Sequence, residues 1–390
     1  MLDALSIVAG FAAAAGCVYL IAATVLIARF ARTEAAPLRR RSMPAVTILK
    51  PLHGVEPGLF ESLLSFCTQD YPGDVQVVFG VQDPNDEAIA VVERLRSVCP
   101  GGHFDLVVDT TMHGQNRKVS NLVNMYRLVE HDIVVLADAD MRVDPDYLAR
   151  VVAALERSDT RAVTCLYHGV PATGVWSDLA ALGINAHFLP SVVFGMTTGL
   201  AHPCSGSTIA LRRAALADIG GFASVANCLA DDYAIGAALR ARGHVISVPP
   251  VTVAHVCGDM SMDDLWHHEV RWGRTIRSID PIGYAGSIVT HAVPLALVAA
   301  LSGIAAESVG FATATAGVLA TLLCRMLLLW QVARAFGLPP QSYWLIPLRD
   351  LLSLAVFLAS WTGQDARWKG RRYRFASGGS LVVARSSSKP

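Results

Sequence analysis

Two carboxylates follow one short apolar run of the sequence. The segment VLADAD places Asp138 and Asp140 after the apolar run IVVLA, so a D-x-D motif ends a predicted buried strand. Two carboxylates at this spacing repel each other unless a cation lies between them. Mg²⁺ and Mn²⁺ take oxygen ligands and share them with substrate phosphates. The motif predicts a divalent-metal site for a diphosphate, with Asp138 and Asp140 as ligands. Turn residues that cap the next helix are the alternative.

Two further acidic segments follow apolar runs. VQDPND places Asp83 and Asp86 after VQVVFGV, where they could hold the base or the ribose of a nucleotide. A solvated turn around the intervening Pro and Asn is the alternative. LADDYAIG places Asp231 and Asp232 at the start of a helix. Asp232 could be a general base, and capping of the helix 233–242 by either residue is the alternative.

Basic and aromatic residues in two other segments could contact phosphate. Lys118 in NRKVSNL could reach donor phosphates, with a solvent-exposed side chain as the alternative. HHEVRWGR lies on a predicted amphipathic helix, 262–279, where Arg271 and Arg274 could bind phosphate and Trp272 could stack on a substrate. A helix on a membrane surface with snorkelling basic side chains is the other interpretation, and both could hold.

An alternating pattern of strands and helices must position these residues. Strands are predicted at 45–49, 75–81, 105–108, 133–137 and 162–166, and helices at 56–67, 87–98, 119–129 and 145–156. This order predicts a mostly parallel sheet covered on both faces, with ligands beyond the carboxyl ends of the strands. No G-x-G-x-x-G or P-loop follows the first strand, which excludes dinucleotide-binding and P-loop NTPase sites of the usual kind.

The composition points to a membrane protein. Of 390 residues, 53% are hydrophobic and 16% charged, with zero net charge, whereas soluble domains carry about 25% charged residues. This excludes a disordered chain and argues against nucleic-acid binding. The segment 5–28 has no charge and is long enough to span a bilayer, and its start lacks Lys and Arg, so we expect a retained anchor rather than a signal peptide. A second apolar region contains the stretches 284–306, 309–330 and 343–361.

The charges are segregated along the chain. Residues 29–41 contain five arginines and one acidic residue, and the segment RWKGRRYR contains five more basic residues. The positive-inside rule places both flanks, and the domain between them, in the cytoplasm. Three full crossings would put the tail outside, so one stretch is re-entrant or interfacial, or the charge rule fails. Residues 44–282 contain 27 acidic and 17 basic residues, so an anionic ligand would need a cation there.

The cysteines suit a reducing compartment. Eight are present and none forms a C-x-x-C pair. His202 and Cys204, like His255 and Cys257, are close in sequence but lack the usual zinc-ligand spacing. Buried neutral thiols are the better interpretation.

Together, these motifs resemble the ceramide glucosyltransferase-like group of membrane glycosyltransferases, which have a GT-A catalytic fold. Within that group the chain most resembles the glycosyltransferases of bacterial hopanoid biosynthesis. The resemblance covers nearly the whole chain. It rests on ILKPLHGVEPGLFESLLSFCTQDYP, VQDPNDEAI, NRKVSNL, LADADMRV, GSTIALRR, LADDYAIG and GRRYRFASGG, in that order.

The resemblance implies a five-part organisation. A GT-A-type α/β domain, Rossmann-like with a mostly parallel sheet, occupies 44–282. A transmembrane anchor (1–30) and a basic linker (31–43) precede it. A membrane region with transmembrane helices (283–361) and a basic cytoplasmic tail (362–390) follow it.

The family has three aspartate motifs, and each has a match here. The first falls on the Asp83/Asp86 segment, with Asp83 favoured. The second falls on Asp138, with Asp140 completing the D-x-D. The third falls on Asp232, which the resemblance makes the general base.

A (Q/R)xxRW motif follows the aspartate motifs in this family. Arg271 and Trp272 match it, but His268 stands where Gln or Arg is usual. The resemblance implies that Arg271 supports the donor diphosphate and that Trp272, with His268, lies at the acceptor site. The role of His268 is open because of this departure.

The resemblance implies a single inverting displacement from a UDP-sugar, assisted by Mg²⁺ or Mn²⁺. A domain tethered at both ends predicts a lipid acceptor in the bilayer. The family suggests a hopanoid polyol such as bacteriohopanetetrol, receiving N-acetylglucosamine at a bacterial inner membrane. Ceramide receiving glucose is the nearest alternative. Polyprenyl-phosphate transferases, processive synthases and a non-enzymatic nucleotide sensor or scaffold are the others.

Overall fold

The chain forms two compact units whose segments are interleaved in sequence. The computed structural model describes residues 1–33, 43–258 and 261–363, and the backbone of Asp365–Trp368, Arg371–Phe375 and Leu381–Val383. The sheet unit comprises Thr33–Ala172, Pro203–Gly258 and Gly379–Pro390; the helical unit comprises Met1–Arg32, Thr173–His202 and Asp259–Gly378. Most of the predicted basic linker, and the side chains of the basic tail, lie outside the described residues.

Near the C-terminus, three strands form a small sheet: Asp365–Trp368, Arg371–Phe375 and Leu381–Val383. Ten further strands are described between residues 46 and 257 of the sheet unit. They are β1 Val46–Pro51, β2 Val75–Val81, β3 His103–Val108, β4 Ile133–Leu136, β5 Met141–Arg142, β6 Thr160–Thr164, β7 Leu166–Pro171, β8 Ile209–Arg212, β9 Val245–Ser247 and β10 Thr252–Cys257. Seven form one sheet in the order β3-β2-β1-β4-β8-β6-β9, and a smaller sheet has the order β5-β10-β7. In the large sheet only β8 runs antiparallel to its neighbours. The predicted mostly parallel α/β class is confirmed.

Helices cover both faces of the large sheet. They are Leu59–Cys67, Ala88–Val98, Arg117–Tyr126, Tyr147–Leu155, Arg213–Asp218 and Asp231–Ala241, with a 3₁₀ turn at Phe222–Val225. Alternate residues of one strand serve opposite faces. In β2, Val77 and Phe79 join one buried cluster while Val78 joins the other. Burial on both faces explains why these strands are mostly apolar.

The strands bring the predicted acidic segments to one edge of the sheet. Pro51 in β1 lies opposite Gly80 in β2, and Leu49 in β1 lies opposite Leu136 in β4. The loops after all three strands therefore leave the same edge. The antiparallel β8 begins at this edge, at Ile209 opposite Leu136.

The predicted strand 162–166 differs from the structure. The chain leaves the large sheet after Thr164 and enters the smaller sheet at Leu166. The residue between them, Cys165, is fully buried. The apolar pattern continues through this change of sheet, so the sequence alone did not reveal it.

The helical unit contains the apolar helices. They are Leu2–Phe30, Val175–Gly183 and Leu189–Thr197 joined by a π-helical turn at Ile184–Phe188, Met262–Ile279, Pro281–Gly286, Ala292–Ala305, Phe311–Phe336 and Ile346–Ser360, with 3₁₀ turns at Ser287–Thr290 and Tyr343–Leu345. Within the described residues, four helices are long and apolar enough to cross a membrane: Leu2–Phe30, Val175–Thr197, Phe311–Phe336 and Tyr343–Ser360. The predicted N-terminal anchor and the last two apolar stretches coincide with three of these.

The remaining predicted stretch, 284–306, is broken. Pro281–Thr290 and Ala292–Ala305 meet at an angle of 63°, as in a broken span or a re-entrant loop. This bend gives the re-entrant alternative a physical basis. The cytoplasmic orientation stays a prediction.

The boundary of the predicted catalytic range also differs. Residues 173–202 and 259–282 belong to the helical unit, although they fall within 44–282. The sequence pattern did not predict the helix Val175–Thr197 because Asp178, Asn185 and His187 interrupt its apolar residues.

Candidate functional site

The D-x-D turn is held from several directions. Asp138 follows β4, and its backbone N–H donates to the carbonyl of Gly206 at 3.0 Å. The fully buried Lys50 at the end of β1 donates from Nζ to the carbonyl of Asp138 at 2.5 Å. Lys50 also lies over the ring of Phe66, 3.8 Å from its centroid, and burial lowers the pKa of this lysine to about 7. These contacts fix the backbone of the turn without using its carboxylates.

Lys118 is the cation of the acidic cluster. Asn116 caps the helix Arg117–Tyr126, since its side chain accepts from the N–H of Val119 at 3.2 Å, and this puts Lys118 in the first turn. Its Nζ lies 2.6 Å from Asp138 Oδ1 and 3.1 Å from Asp231 Oδ2, with 18% of the side chain exposed. The solvent-exposed alternative for Lys118 is therefore wrong.

The charge balance around Lys118 shifts its titration. Burial alone would lower the pKa of Lys118. The carboxylates of Asp138, Asp231 and Asp232 outweigh burial, so the pKa lies above its ordinary value. Lys118 is thus a permanent cation, fixed where anionic groups converge.

Asp232 lies in the first turn of Asp231–Ala241. The N-cap is Ala230 and no side chain caps the helix, so the capping alternative for Asp231 or Asp232 is wrong. Asp232 Oδ2 accepts from the N–H of Gly206 at 2.9 Å, and Oδ1 accepts from the N–H of Tyr233 at 2.7 Å. Burial, with the neighbouring Asp231, raises the pKa of Asp232 to about 6. A carboxylate with this pKa can accept a proton near neutral pH.

Gly206 connects Asp232 with the D-x-D turn. Its N–H donates to Asp232 and its carbonyl accepts from Asp138. A Cβ at this position would lie 2.5 Å from Asp138 Oδ2 and 3.2 Å from Lys118 Nζ. Only glycine leaves room for the Asp138 carboxylate and the Lys118 ammonium group at these distances.

Asp140 offers an unused carboxylate oxygen. Its Oδ1 is buried with no hydrogen-bond partner among the described residues, and its Oδ2 lies 3.6 Å from His255 Nε2. Burial raises the pKa of Asp140, His255 partly offsets this, and Asp138 raises it further. An unsatisfied buried carboxylate beside a second one fits an oxygen-coordinated divalent cation.

A complete metal-ligand set of three protein side chains is not found within the described parts of the chain. Mg²⁺ commonly uses one or two carboxylates and completes its coordination with water and substrate phosphates. The residues present therefore fit a cation that is shared with a bound diphosphate.

Asp83 and Asp86 differ in their surroundings. Asp83 is exposed, and its Oδ1 accepts from the N–H of Asn85 at 2.9 Å. Asp86 is buried, and its two oxygens accept from the N–H of Gly54 at 2.9 and 3.0 Å, with Oδ1 also accepting from Ala88. Asp86 therefore braces the loop after β1, whereas Asp83 keeps an oxygen that a nucleotide could use.

The (Q/R)xxRW residues lie in the helical unit rather than in the sheet unit. The helix Met262–Ile279 has the predicted bounds, and Ser261 caps it by accepting from the N–H of Asp264 at 3.1 Å. His268 and Trp272 pack edge to face, 4.4 Å between ring centroids. The binding roles of His268, Arg271 and Trp272 stay predictions.

Three residues of this site were missed at the level of sequence. Lys50 ends the apolar strand AVTILK, Gly206 starts GSTIALRR, and His255 lies in β10. A lysine that closes an apolar run was a usable signal for Lys50. The sequence drew attention to GSTIALRR and to the His255/Cys257 pair, but it did not indicate the roles of Gly206 and His255 because their partners come from distant segments.

Relatives of known name cover parts of the chain. Ceramide glucosyltransferase 1 of Caenorhabditis elegans is 26% identical over 204 residues, which is 52% of this chain and 43% of that protein. Ceramide glucosyltransferase 3 of the same organism is 24% identical over 265 residues, 66% of this chain and 56% of that protein. The chain therefore spans about half the length of these relatives.

A solved structure shares the fold. The mannosyltransferase PcManGT from Pyrobaculum calidifontis, in complex with GDP-Man and Mn²⁺, aligns with a TM-score of 0.55 at 20% identity, over 93% of this chain and 99% of that one. This likeness concerns the fold alone and agrees with the GT-A-type class. The sequence model of Glycosyl transferase family 21 matches residues 8–381. That match extends from the first apolar helix to the C-terminal strands, and on this basis the chain belongs to Glycosyl transferase family 21.

Proposed function

We propose that this chain is an inverting glycosyltransferase that moves one sugar from a UDP-sugar to a hydroxyl group of a membrane lipid. The observation that carries this proposal is the pair of hydrogen bonds at Gly206. Gly206 hydrogen-bonds both to the carboxylate of Asp232, whose pKa is about 6, and to the backbone of Asp138 in the D-x-D turn. A single displacement needs a base and a diphosphate site at this short separation.

The donor is held by residues at the edge of the sheet. Asp83 is the candidate for the nucleoside, and Asp86 supports the same loop from within. Asp138 and Asp140 would hold a divalent cation, Mg²⁺ or Mn²⁺, which when bound supplies Lewis-acid charge to the leaving diphosphate. Lys118 adds fixed positive charge beside Asp138. Arg271 is proposed as a further contact to the diphosphate.

Asp232 is proposed as the general base. Its two backbone N–H donors fix the direction of the carboxylate, and its raised pKa favours proton uptake from the acceptor hydroxyl as that oxygen attacks the anomeric carbon. The bond from the anomeric carbon to the diphosphate breaks as the new glycosidic bond forms. The configuration therefore inverts and no covalent sugar–enzyme intermediate is needed.

The acceptor is proposed to be a lipid because the chain carries several membrane-type helices beside a catalytic fold. Trp272 and His268 are the candidates for acceptor contacts. The sequence resemblance favours a hopanoid polyol such as bacteriohopanetetrol with N-acetylglucosamine as the sugar. The printed names of the relatives favour ceramide and glucose as the second candidate. We propose a bacterial inner membrane as the location, with the sheet unit in the cytoplasm.

Purified protein in lipid vesicles tests the activity. UDP-N-acetylglucosamine and UDP-glucose are each supplied with a hopanoid polyol, ceramide or polyprenyl phosphate, and the products are identified by mass. We expect a lipid carrying a single sugar. A polymer would indicate a processive synthase, and turnover only with polyprenyl phosphate would indicate that transferase class.

Chelation tests the cation. We expect EDTA to abolish turnover and added Mn²⁺ or Mg²⁺ to restore it. Without a cation, the negative charges of Asp138 and Asp140 would repel the diphosphate. Asp140→Ala should need more metal for half-maximal activity. Full activity of Asp140→Ala in EDTA would refute the metal role.

A further inference from the structure

The helix Met262–Ile279 is anchored through a carboxylate on its buried side. Arg349, in the first turn of Ile346–Ser360, donates from Nη1 to Glu269 Oε1 and from Nη2 to Glu269 Oε2, both at 2.6 Å. The Arg349 side chain is 3% exposed and that of Glu269 is 15% exposed. A bidentate Arg–carboxylate pair fixes direction as well as distance. Glu269 lies between His268 and Arg271, so this pair holds the segment that carries the (Q/R)xxRW residues.

Arg349 is itself fixed. Its Nε and Nη2 donate to Ser353 Oγ at 3.0 and 2.9 Å, and its Nη1 donates to the carbonyl of Leu179 at 3.1 Å. A Cβ on Gly183 would lie 3.1 Å from Arg349 Nη1 and 3.2 Å from Glu269 Oε1. The guanidinium is thus enclosed by three helices of the helical unit and presents one orientation to Glu269.

A second contact lies one helical turn further on. A Cβ on Gly273 would lie 2.7 Å from Tyr284 Oη and 3.1 Å from the Cβ of Ser360. The helix Met262–Ile279 therefore touches Ile346–Ser360 near both ends of the latter, through Glu269 and through Gly273. Because residues four apart lie on the same face of a helix, these two contacts oppose rotation of the helix about its axis.

The contacts of Glu269 and Gly273 also determine the side of the helix on which Arg271 lies. With 3.6 residues per turn, a residue two positions after Glu269 points to nearly the opposite side of the helix. Fixing Glu269 and Gly273 against the other helices therefore fixes the side on which Arg271 is presented. Because the Arg271 guanidinium is at the end of a long side chain, a rotation of the helix about its axis would move it further than it moves the backbone.

We propose that Glu269 and Arg349 are positioning residues for sugar transfer, and that they act by setting the orientation of Arg271. This inference rests on the proposed function, in which Arg271 supports the leaving diphosphate. Neither Glu269 nor Arg349 is assigned contact with the reacting atoms. Their effect should therefore disappear when Arg271 is absent.

A double-mutant cycle tests this. Turnover of UDP-sugar is measured in vesicles for wild type, Glu269→Gln, Arg271→Ala and the double variant, per folded protein as judged by gel filtration and thermal unfolding. We expect Glu269→Gln to lower kcat about 100-fold, the scale of a misplaced contact, with a smaller change in KM. In the Arg271→Ala background the same change should cost less than about twofold.

Arg349→Lys provides a second route if Glu269→Gln does not fold. It retains the charge but loses the planar fork, so we expect an intermediate loss of kcat that is again absent in the Arg271→Ala background. Losses that multiply in the double variants, or no loss in either single variant, would overturn the inference while leaving wild-type transfer intact. Absence of transfer by wild type would overturn the proposed function and this inference with it.

Discussion

The two units differ in the balance of positive and negative charge within their buried ionic clusters. In the sheet unit, Lys118 faces Asp138 and Asp231 directly, and a buried oxygen of Asp140 has no hydrogen-bond partner among the described residues. In the helical unit, Arg325 and Asp350 are both fully buried, and Arg325 Nε lies 3.0 Å from Asp350 Oδ2. The first cluster has an excess of carboxylates, whereas the second matches each charge with a partner.

The partners of Arg325 explain what the matched network does. Nη1 donates to the carbonyl of Ala186 in the π-helical turn, and Nη2 donates to the carbonyl of Thr290 at the bend before Ala292–Ala305. Both carbonyls lie at irregular turns, where regular helix bonding is interrupted. His187 Nε2 contacts the other oxygen of Asp350 at 2.6 Å. A charge-balanced network of this kind fixes structure, whereas the excess of carboxylates in the sheet unit fits a cation and a ligand.

The largest effect on turnover is expected from Asp232→Asn. The amide cannot accept the proton of the acceptor hydroxyl, so kcat should fall by about 10²- to 10⁴-fold. The amide oxygen can still accept from one backbone N–H, so the thermal unfolding temperature should change little. Steady-state kinetics and a melting curve on the same sample check both. Near wild-type transfer would refute the base assignment.

A smaller loss is expected from Gly206→Ala. The added methyl group would lie 2.5 Å from Asp138 Oδ2, so the turn must shift, and displacements of this kind cost up to about 100-fold in rate. Gly101→Ala is the matched control, because a Cβ there meets nothing within 4 Å. Equal activity of the two alanine variants would show that the spacing at Gly206 does not matter.

The pH dependence gives the next effect. Asp232 must be ionised to act as a base, and its pKa is raised to about 6. As the pH falls through 6 the carboxylate gains a proton, so kcat should fall about tenfold between pH 7 and pH 5. The residual rate of Asp232→Asn should be flat over this range. A constant wild-type kcat from pH 7 to pH 5 would contradict the assignment.

The buried Arg325–Asp350 pair of the helical unit should affect stability rather than turnover. Asp350→Asn leaves the buried Arg325 without its counter-charge, and breaking a buried pair costs about 3–5 kcal/mol. We expect a lower unfolding temperature in detergent but kcat per folded molecule within about twofold of wild type. Asp263→Asn is the control, since its side chain is 82% exposed. A large loss of kcat without loss of stability would erase the distinction between the two clusters.

The parts of the fold that were predictable share a local pattern. β2 and the helix Met262–Ile279 have the predicted bounds, because the first is a short apolar run and the second is clearly amphipathic. The placement of Asp138 and Asp83 at one edge followed from the parallel order of their strands. Local sequence sufficed wherever one segment determines its own structure.

The unpredicted parts depend on distant segments. Gly206 acquires its role only because β8 pairs with β4, so that its peptide falls between Asp138 and Asp232. The helix Val175–Thr197 carries polar residues that a span normally lacks, and some of them have distant partners, as His187 has in Asp350. No window of sequence contains both members of these pairs.

The most direct test of the account compares lipid extracts of cells that make the wild-type chain, the Asp232→Asn chain or neither. Mass spectrometry would report the lipid that is modified and the mass that is added. We predict a lipid heavier by one N-acetylhexosamine or one hexose residue, present only with the wild-type chain. Identical lipid profiles in all three cultures, with wild-type protein folded in the membrane and its lipid acceptor present, would contradict the proposed transfer.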